Sequence, residues 1–106
     1  IGNIDGKNAV MVDDTVDTAG SLTDGSRALQ RLGAKSVLAC CTHAVLSPPA
    51  VQRIKDSNIE ELIITNTIPL PPEKKLDKIK VLSVAPMFGE AMIRIYKQLS
   101  VSSLFD

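Results

Sequence analysis

The sequence has no tryptophan, only one tyrosine and two phenylalanines, and no excess of basic over acidic side chains. Lysine plus arginine equals aspartate plus glutamate at 12 residues each, so the chain as a whole has no positive field that would attract nucleic acid. The scarcity of aromatic rings also leaves few platforms on which single-stranded bases could stack. We therefore expect no nucleic-acid partner.

Long apolar runs and separated cysteines are lacking as well. No stretch approaches the roughly 18 to 20 consecutive apolar residues that a transmembrane helix needs, so we expect no membrane partner. The two cysteines, Cys40 and Cys41, are adjacent in an apolar run, where they cannot readily form an ordinary disulfide with each other. This usage favours a reducing compartment. We expect a cytoplasmic protein, or a plastid protein if the source is a plant.

Short β-rich runs alternate with helical patterns along the chain, which is typical of βαβ units on a parallel sheet. The predicted fold class is α/β, with an open, mainly parallel sheet and flanking helices in Rossmann-like layers. The second strand is apolar throughout, so we predict that it is central and covered on both faces. The predicted strands are residues 8–12, 36–41, 61–65 and 80–84, and the predicted helices are 21–32, 48–57 and 86–99, with an exposed loop over 69–78.

The first predicted strand runs into two carboxylates and then into a loop of small residues that opens a helix. Asp13 and Asp14 follow the strand, and the loop extends from Asp17 to Ser21. Unpaired backbone N–H groups and the positive end of the helix dipole point the same way in such a loop, which suits a phosphate. Carboxylates accept hydrogen bonds from neighbouring hydroxyls. The pattern therefore indicates a sugar-phosphate site, and ribose 5-phosphate has the matching groups.

Residues 13–21, Asp-Asp-Thr-Val-Asp-Thr-Ala-Gly-Ser, resemble the ribose-phosphate loop of the type I phosphoribosyltransferase superfamily, most closely that of the ribose-phosphate pyrophosphokinase family. Residues 39–50, 64–69 and 100–105 resemble later blocks of that family in the same order, so the resemblance covers essentially the whole chain. The chain begins with Ile1 rather than methionine, and the resemblance begins in the middle of the family's length. We expect residues 1–106 to be a single partial domain, the C-terminal ribose 5-phosphate-binding portion of a longer enzyme.

The resemblance implies a longer transferase that uses Mg²⁺ and ATP to convert ribose 5-phosphate into 5-phosphoribosyl 1-diphosphate for nucleotide biosynthesis. In the family, the ATP site, the catalytic loop and a metal-binding histidine belong to an earlier segment, so the resemblance places no catalytic residue here and implies that this segment alone is inactive. It leaves the metal ligands of this chain open. It also implies a homo-oligomer, a hexamer in the family, with ADP and phosphate as regulators. The implied substrate-binding residues are Asp13, Asp14, Asp17, Thr18, Ala19, Gly20 and Ser21, and the implied regulatory residues are Ser100, Val101, Ser102 and Phe105.

Two related classes of protein are alternatives to the synthase. A phosphoribosyltransferase that consumes the product carries the same loop, but the later blocks match the synthase. A non-catalytic, synthase-associated regulatory subunit departs within the loop, and this loop is intact. A phospho-receiver domain is excluded, because neither the second strand nor the third ends in the required aspartate. His43, Cys40 and Cys41 are interpreted as structural residues.

Overall fold

The computed structural model describes residues 2–106, which form one parallel sheet with its strands in chain order. Every neighbouring pair of strands is parallel, and β2 and β3 are internal. The predicted α/β class, the parallel sheet and the central position of the second strand are therefore confirmed. The elements are β1 (Asn8–Val16), α1 (Gly20–Arg31), β2 (Ser36–Ala44), α2 (Ala50–Asp56), β3 (Ile59–Thr65), β4 (Ile79–Leu82) and α3 (Ala85–Tyr96), with 3₁₀ turns at Pro72–Lys74 and Ser102–Phe105.

Strand β1 is longer than the sequence pattern predicts. Its pairing with β2 continues past the two carboxylates, with Thr15 opposite His43 and Val16 opposite Ala44. The β-branched pair Thr15 and Val16 favours an extended backbone, which outweighs the low strand propensity of aspartate. Asp13 and Asp14 consequently lie inside the strand rather than after it.

Helices α1 and α2 pack on one face of the sheet over a core of aliphatic side chains. Gly25 lies at the contact between α1 and the sheet, where a Cβ atom would lie 2.6 Å from the terminal methyl group of Met11 and would displace that side chain. The opposite face of the sheet leaves Val10 58% and Val12 80% exposed. Within residues 2–106 the sheet is therefore covered on one face only, contrary to the expectation of two covered faces. The core consists of Val16, Ala19, Leu22, Ala39, Cys41, Ala44, Leu46, Ala50, Ile54, Ile59, Leu62, Ile64 and Ile79.

Helix α1 ends where the sequence predicts. Gly33 has a φ of 95°, a left-handed conformation that glycine adopts without steric cost. Its N–H donates to the carbonyl of Gln30 at 3.0 Å, and the N–H of Ala34 donates to that of Leu29 at 3.0 Å. These bonds satisfy the last carbonyls of the helix. None of the helices in residues 2–106 has the length and apolar character needed to cross a membrane.

Lys78 closes the C-terminal end of α2. Its Nζ atom donates to the carbonyl oxygens of Ile54 at 2.9 Å, Lys55 at 3.3 Å and Ser57 at 3.3 Å. A cation at this end of a helix compensates both the unpaired carbonyls and the negative end of the dipole. Lys78 is therefore a structural cap, although it lies in a segment that the sequence predicts to be an exposed loop.

We predict that Lys78→Met lowers the free energy of unfolding by about 1 to 2 kcal/mol, because it removes charge-assisted hydrogen bonds to three carbonyls while keeping an apolar stem. Urea unfolding followed by circular dichroism measures the change. Lys75→Met is the matched control, since Lys75 is an exposed lysine of the same segment. Equal effects of the two substitutions would contradict the capping role.

Candidate functional site

A cavity of about 150 Å³ lies at the turn between β1 and α1. This turn follows the carboxyl end of a parallel strand, the edge at which open α/β sheets bind ligands. Its walls combine polar groups of the loop with three buried apolar side chains. The lining residues are Asp13, Thr15, Val16, Thr18, Ala19, Gly20, Ser21 and Leu22.

The backbone of this turn forms a cradle of N–H groups. Ala19 adopts a left-handed conformation with φ 63° and ψ 15°, and the helix begins at the next residue. A left-handed residue beside helical ones turns successive N–H groups towards one point, a geometry that binds anions. Helix geometry also leaves the N–H groups of Gly20, Ser21 and Leu22 without intrahelical acceptors. The cradle is thus a backbone feature and does not need a basic side chain in the loop.

Thr23 fixes the conformation of this cradle from inside the helix. It is only 1% exposed, and its N–H and its Oγ1 both donate to the carbonyl of Ala19, at 3.0 Å and 2.8 Å. Ala19 itself is buried. The left-handed residue is therefore held by two hydrogen bonds and by packing, which offset the steric cost of a positive φ.

The structure brings together Asp13, Thr18, Ala19, Gly20 and Ser21 of the predicted substrate-binding residues around this cavity. Asp14 and Asp17 are not among the lining residues, and both are exposed. Consecutive strand residues point to opposite faces, so Asp13 and Asp14 serve different sides of the sheet. The N–H of Asp14 donates to Oδ1 of Asp13 at 2.8 Å, which orients the Asp13 carboxylate.

Thr15 also lines the cavity, although the sequence pattern did not predict it as a site residue. It lies two residues after Asp13 and so shares its face of the strand. The signal that could have found it is the alternation Asp13, Thr15, which is visible once β1 is extended to Val16.

Asp13 lies beside Cys41 in the paired strands. Burial raises the pKa of the Cys41 thiol to about 11, with a smaller contribution from the negative charge of Asp13. The thiol is therefore protonated at neutral pH and is 5% exposed, which fits the structural role predicted for it. The same effect indicates that the Asp13 carboxylate lies close to the helix-covered face of the sheet.

His43 lies next to Thr15 in the strand register, at the same edge of the sheet as the loop. Its Nδ1 atom is 2.8 Å from the Oγ1 of Thr67, and that hydroxyl lies 3.1 Å from the carbonyl oxygen of Thr42. The Oγ1 of Thr65 donates to the same carbonyl at 2.6 Å. The imidazole therefore has a hydroxyl partner in the chain, in keeping with its interpretation as a structural residue.

The predicted regulatory residues form a second cluster, in a tail that folds back on α3. The Oγ atoms of Ser100 and Ser102 are 2.6 Å apart. Arg94 holds the tail, since its Nη1 donates to the carbonyl of Ser100 at 3.2 Å and to the Oγ of Ser103 at 2.7 Å. Val101 and Phe105 line an apolar cavity of about 260 Å³ between the tail and α3. The two predicted sets of residues thus occupy separate places on the chain.

Within residues 2–106 no three histidine, cysteine or acidic side chains converge into a cage for a metal ion. Mg²⁺ is usually held by one or two carboxylates together with waters and substrate phosphates. Asp13 is a carboxylate of the required chemistry in the cavity lining, so it fits a magnesium ion that binds together with a phosphate ligand.

The parallel sheet, the small-residue loop after β1 and the N–H cradle at the start of α1 define an α/β domain with an anion-binding geometry at the β1–α1 turn. A family model described as the phosphoribosyl synthetase-associated domain matches residues 1–106. The chain belongs to this family.

Named relatives agree with the family match. The chain is 58% identical over 106 residues to the ribose-phosphate pyrophosphokinases of Bacillus cereus and Corynebacterium ammoniagenes, and 56% identical to that of Bacillus subtilis. All of this chain is covered but only 33% of each relative, so the chain spans about a third of their length. The crystal structure of phosphoribosylpyrophosphate synthetase from Mycobacterium smegmatis matches with a TM-score of 0.90 and 35% identity, over 92% of this chain and 33% of that one.

We predict that Asp13→Asn lowers the pKa of Cys41 from its raised value of about 11, because one of the two main causes of the shift is the charge of Asp13. The Cys41 thiolate then forms at lower pH, while burial still keeps its pKa above that of an exposed thiol. The pH dependence of alkylation, followed by mass spectrometry in a Cys40→Ser background, measures the shift. Asp14→Asn is the control, and an equal shift there would contradict the assignment of Asp13 to the Cys41 side.

Proposed function

We propose that this chain is the ribose 5-phosphate-binding part of a ribose-phosphate pyrophosphokinase. The whole enzyme would transfer the diphosphoryl group of ATP to the 1-hydroxyl of ribose 5-phosphate and form 5-phosphoribosyl 1-diphosphate, a precursor in nucleotide biosynthesis. The observation that carries the proposal is the cavity whose lining coincides with the loop resembling the family's ribose-phosphate loop. The relatives' names support synthesis of this product.

The 5-phosphate is assigned to the N–H cradle. The amides of Gly20, Ser21 and Leu22 are donors without intrahelical acceptors, and the hydroxyls of Thr18 and Ser21 add two more donors beside them. The positive end of the α1 dipole adds to the attraction of a phosphate dianion. All four residues line the same cavity.

The ribose hydroxyls are assigned to the acidic side of the site. Asp13 lines the cavity and presents carboxylate oxygens that accept hydrogen bonds from hydroxyl groups. Asp14 lies on the other side of the strand, where it is available to a hydrated Mg²⁺ or to the rest of the longer protein. Mg²⁺, when bound, supplies charge neutralisation for the transferred diphosphoryl group. We assign Asp17, which is exposed in the loop, to the phosphate side through its position in the family motif.

In this proposal the chain positions the acceptor and does not itself move the diphosphoryl group. Phosphoryl-type transfer is catalysed mainly by positioning and electrostatic stabilisation, so orienting the acceptor contributes much of the rate enhancement. The ATP-binding and catalytic groups are assigned to the parts of the relatives that this chain does not span. We expect the 106-residue chain alone to show no turnover.

We also propose that the tail regulates the whole enzyme. Ser100, Val101, Ser102 and Phe105 offer hydroxyl groups beside an apolar wall, which suits ADP or inorganic phosphate. The tail is held to α3 by Arg94, so its hydroxyls have a defined position. The expected oligomer, a hexamer as in the family, would place this tail at a subunit interface.

Substitution of Ser21 tests the acceptor site in a chimeric enzyme, in which residues 1–106 replace the matching third of the Bacillus subtilis relative. We predict that Ser21→Ala raises the KM for ribose 5-phosphate about tenfold and leaves the KM for ATP within about twofold, because it removes one donor to a charged phosphate. Steady-state kinetics with each substrate varied measure both constants. Ser36→Ala is the matched control, since Ser36 bonds Asn8 at the other end of the strands. Equal changes in the two KM values after Ser21→Ala would contradict the proposal.

Deletion of the tail tests the regulatory assignment in the same chimeric enzyme. We predict that removing the last seven residues weakens inhibition by ADP at least severalfold while most of kcat remains, because the serine hydroxyls and the apolar wall are lost together. Inhibition curves for ADP at fixed substrate concentrations measure the effect. Unchanged inhibition by ADP would show that the regulatory site lies elsewhere in the enzyme.

A further inference from the structure

One arginine outside the loop reaches into it. Nη1 of Arg53, on α2, donates to the carbonyl oxygen of Thr18 at 3.0 Å. Helix α2 is firmly seated, because Ala50 and Ile54 on either side of Arg53 are fully buried. The backbone N–H of Arg53 also donates to the carbonyl of Pro49, the N-cap residue of α2, at 3.0 Å. The guanidinium therefore contacts the loop from a helix whose position is fixed by packing. The two bonded residues are 35 positions apart in the sequence.

This hydrogen bond sets the orientation of the peptide between Thr18 and Ala19. In a trans peptide the carbonyl and the N–H point in opposite directions. Because Arg53 holds the Thr18 oxygen on the α2 side, the N–H of Ala19 is directed away from α2. Ala19 lines the cavity and carries the left-handed turn of the cradle. Without Arg53, this carbonyl would lose its partner and could turn its negative end towards the anion.

The same guanidinium also brings a positive charge to the start of α1. A Cβ atom at Gly20 would lie 3.2 Å from Nη1 of Arg53, so the charge lies against the first residue of the helix. In the part of the chain that the structure describes, the two ion pairs are Arg27 with Asp24 and Arg94 with Glu90. No carboxylate of residues 2–106 thus neutralises Arg53 at contact distance. Its charge adds to that of the helix dipole at the loop.

We propose that Arg53 is a positioning residue of the phosphate loop, which fixes the Thr18–Ala19 peptide and favours the dianionic over the monoanionic form of the sugar phosphate. This inference rests on the proposed function, since it concerns the same cavity. It assigns a role to a side chain that belongs to another helix and lies outside the loop motif. The ligand class it implies is a phosphate monoester, whose second ionisation has a pKa of about 6.

The test compares Arg53→Gln and Arg53→Lys in the chimeric enzyme. We expect Arg53→Gln to raise the KM for ribose 5-phosphate about tenfold and to leave the KM for ATP and kcat within about twofold. We expect Arg53→Lys to restore most of the loss, because it keeps the charge and one donor. We also expect the rise of KM between pH 7 and pH 5.5 to be smaller for Arg53→Gln than for the parent enzyme, since part of the preference for the dianion is lost. Arg27→Gln, an exposed arginine of α1, is the matched control.

The outcomes separate this inference from the proposed function. If Ser21→Ala raises the KM for ribose 5-phosphate and Arg53→Gln does not, the role of Arg53 is overturned and the acceptor site stands. If neither substitution changes that KM, the proposed function fails. If Arg53→Gln does not fold, Arg53→Lys decides. Equal rises of the two KM values, or a tenfold rise of the KM for ribose 5-phosphate although the charge and one donor are kept, would overturn the inference.

Discussion

The parallel pairing of β1 with β2 determines where the candidate site can form. The strands stay in register as far as Val16 and Ala44, and the N–H groups of Val45 and Leu46 both donate to the carbonyl of Val16, at 3.0 Å and 3.2 Å. The chain therefore leaves the sheet immediately after Val16, with only three residues before α1 begins. A turn this short needs the left-handed conformation at Ala19, and that conformation gathers the N–H groups of the cradle.

The position of α1 over the sheet follows from small and polar residues rather than from large apolar ones. Gly25 allows the helix to approach Met11. Ser26 is fully buried, and its Oγ is 2.8 Å from Oδ1 of Asn58, whose Nδ2 donates to the Ser26 carbonyl at 3.0 Å. Buried hydrogen bonds are directional, so they fix the helix more specifically than contact between aliphatic side chains does. The N–H groups at the helix start thus have a defined position before any ligand binds.

The sequence was sufficient for the features that depend on local patterns. Alternation of apolar runs with helical periodicity predicted the order of the elements and placed the end of α1 within one residue of Arg31. The C-terminal end of β1 and the start of α1 were misplaced. Pairing with β2 extends the strand through Asp13 and Asp14. Helix α1 begins at Gly20 rather than Ser21, with Ala19 as an N-cap that makes no side-chain hydrogen bond. Most of the cavity lining lies in the motif and was predicted as substrate-binding residues. Arg53 was not, since its contact with Thr18 is created only by tertiary packing.

The cavity has one acidic and one basic side, and this charge distribution determines the orientation in which a ligand binds. Asp13 forms the wall nearest the strand, whereas Arg53 and the start of α1 place positive charge behind Thr18 and Gly20. A molecule with hydroxyl groups at one end and a phosphate at the other matches this gradient in one orientation only, because the reverse orientation sets phosphate against carboxylate. The arrangement thus explains how the Asp13 carboxylate can lie beside an anion site: it accepts hydrogen bonds from the sugar hydroxyls in one orientation and would face the phosphate only in the reverse one.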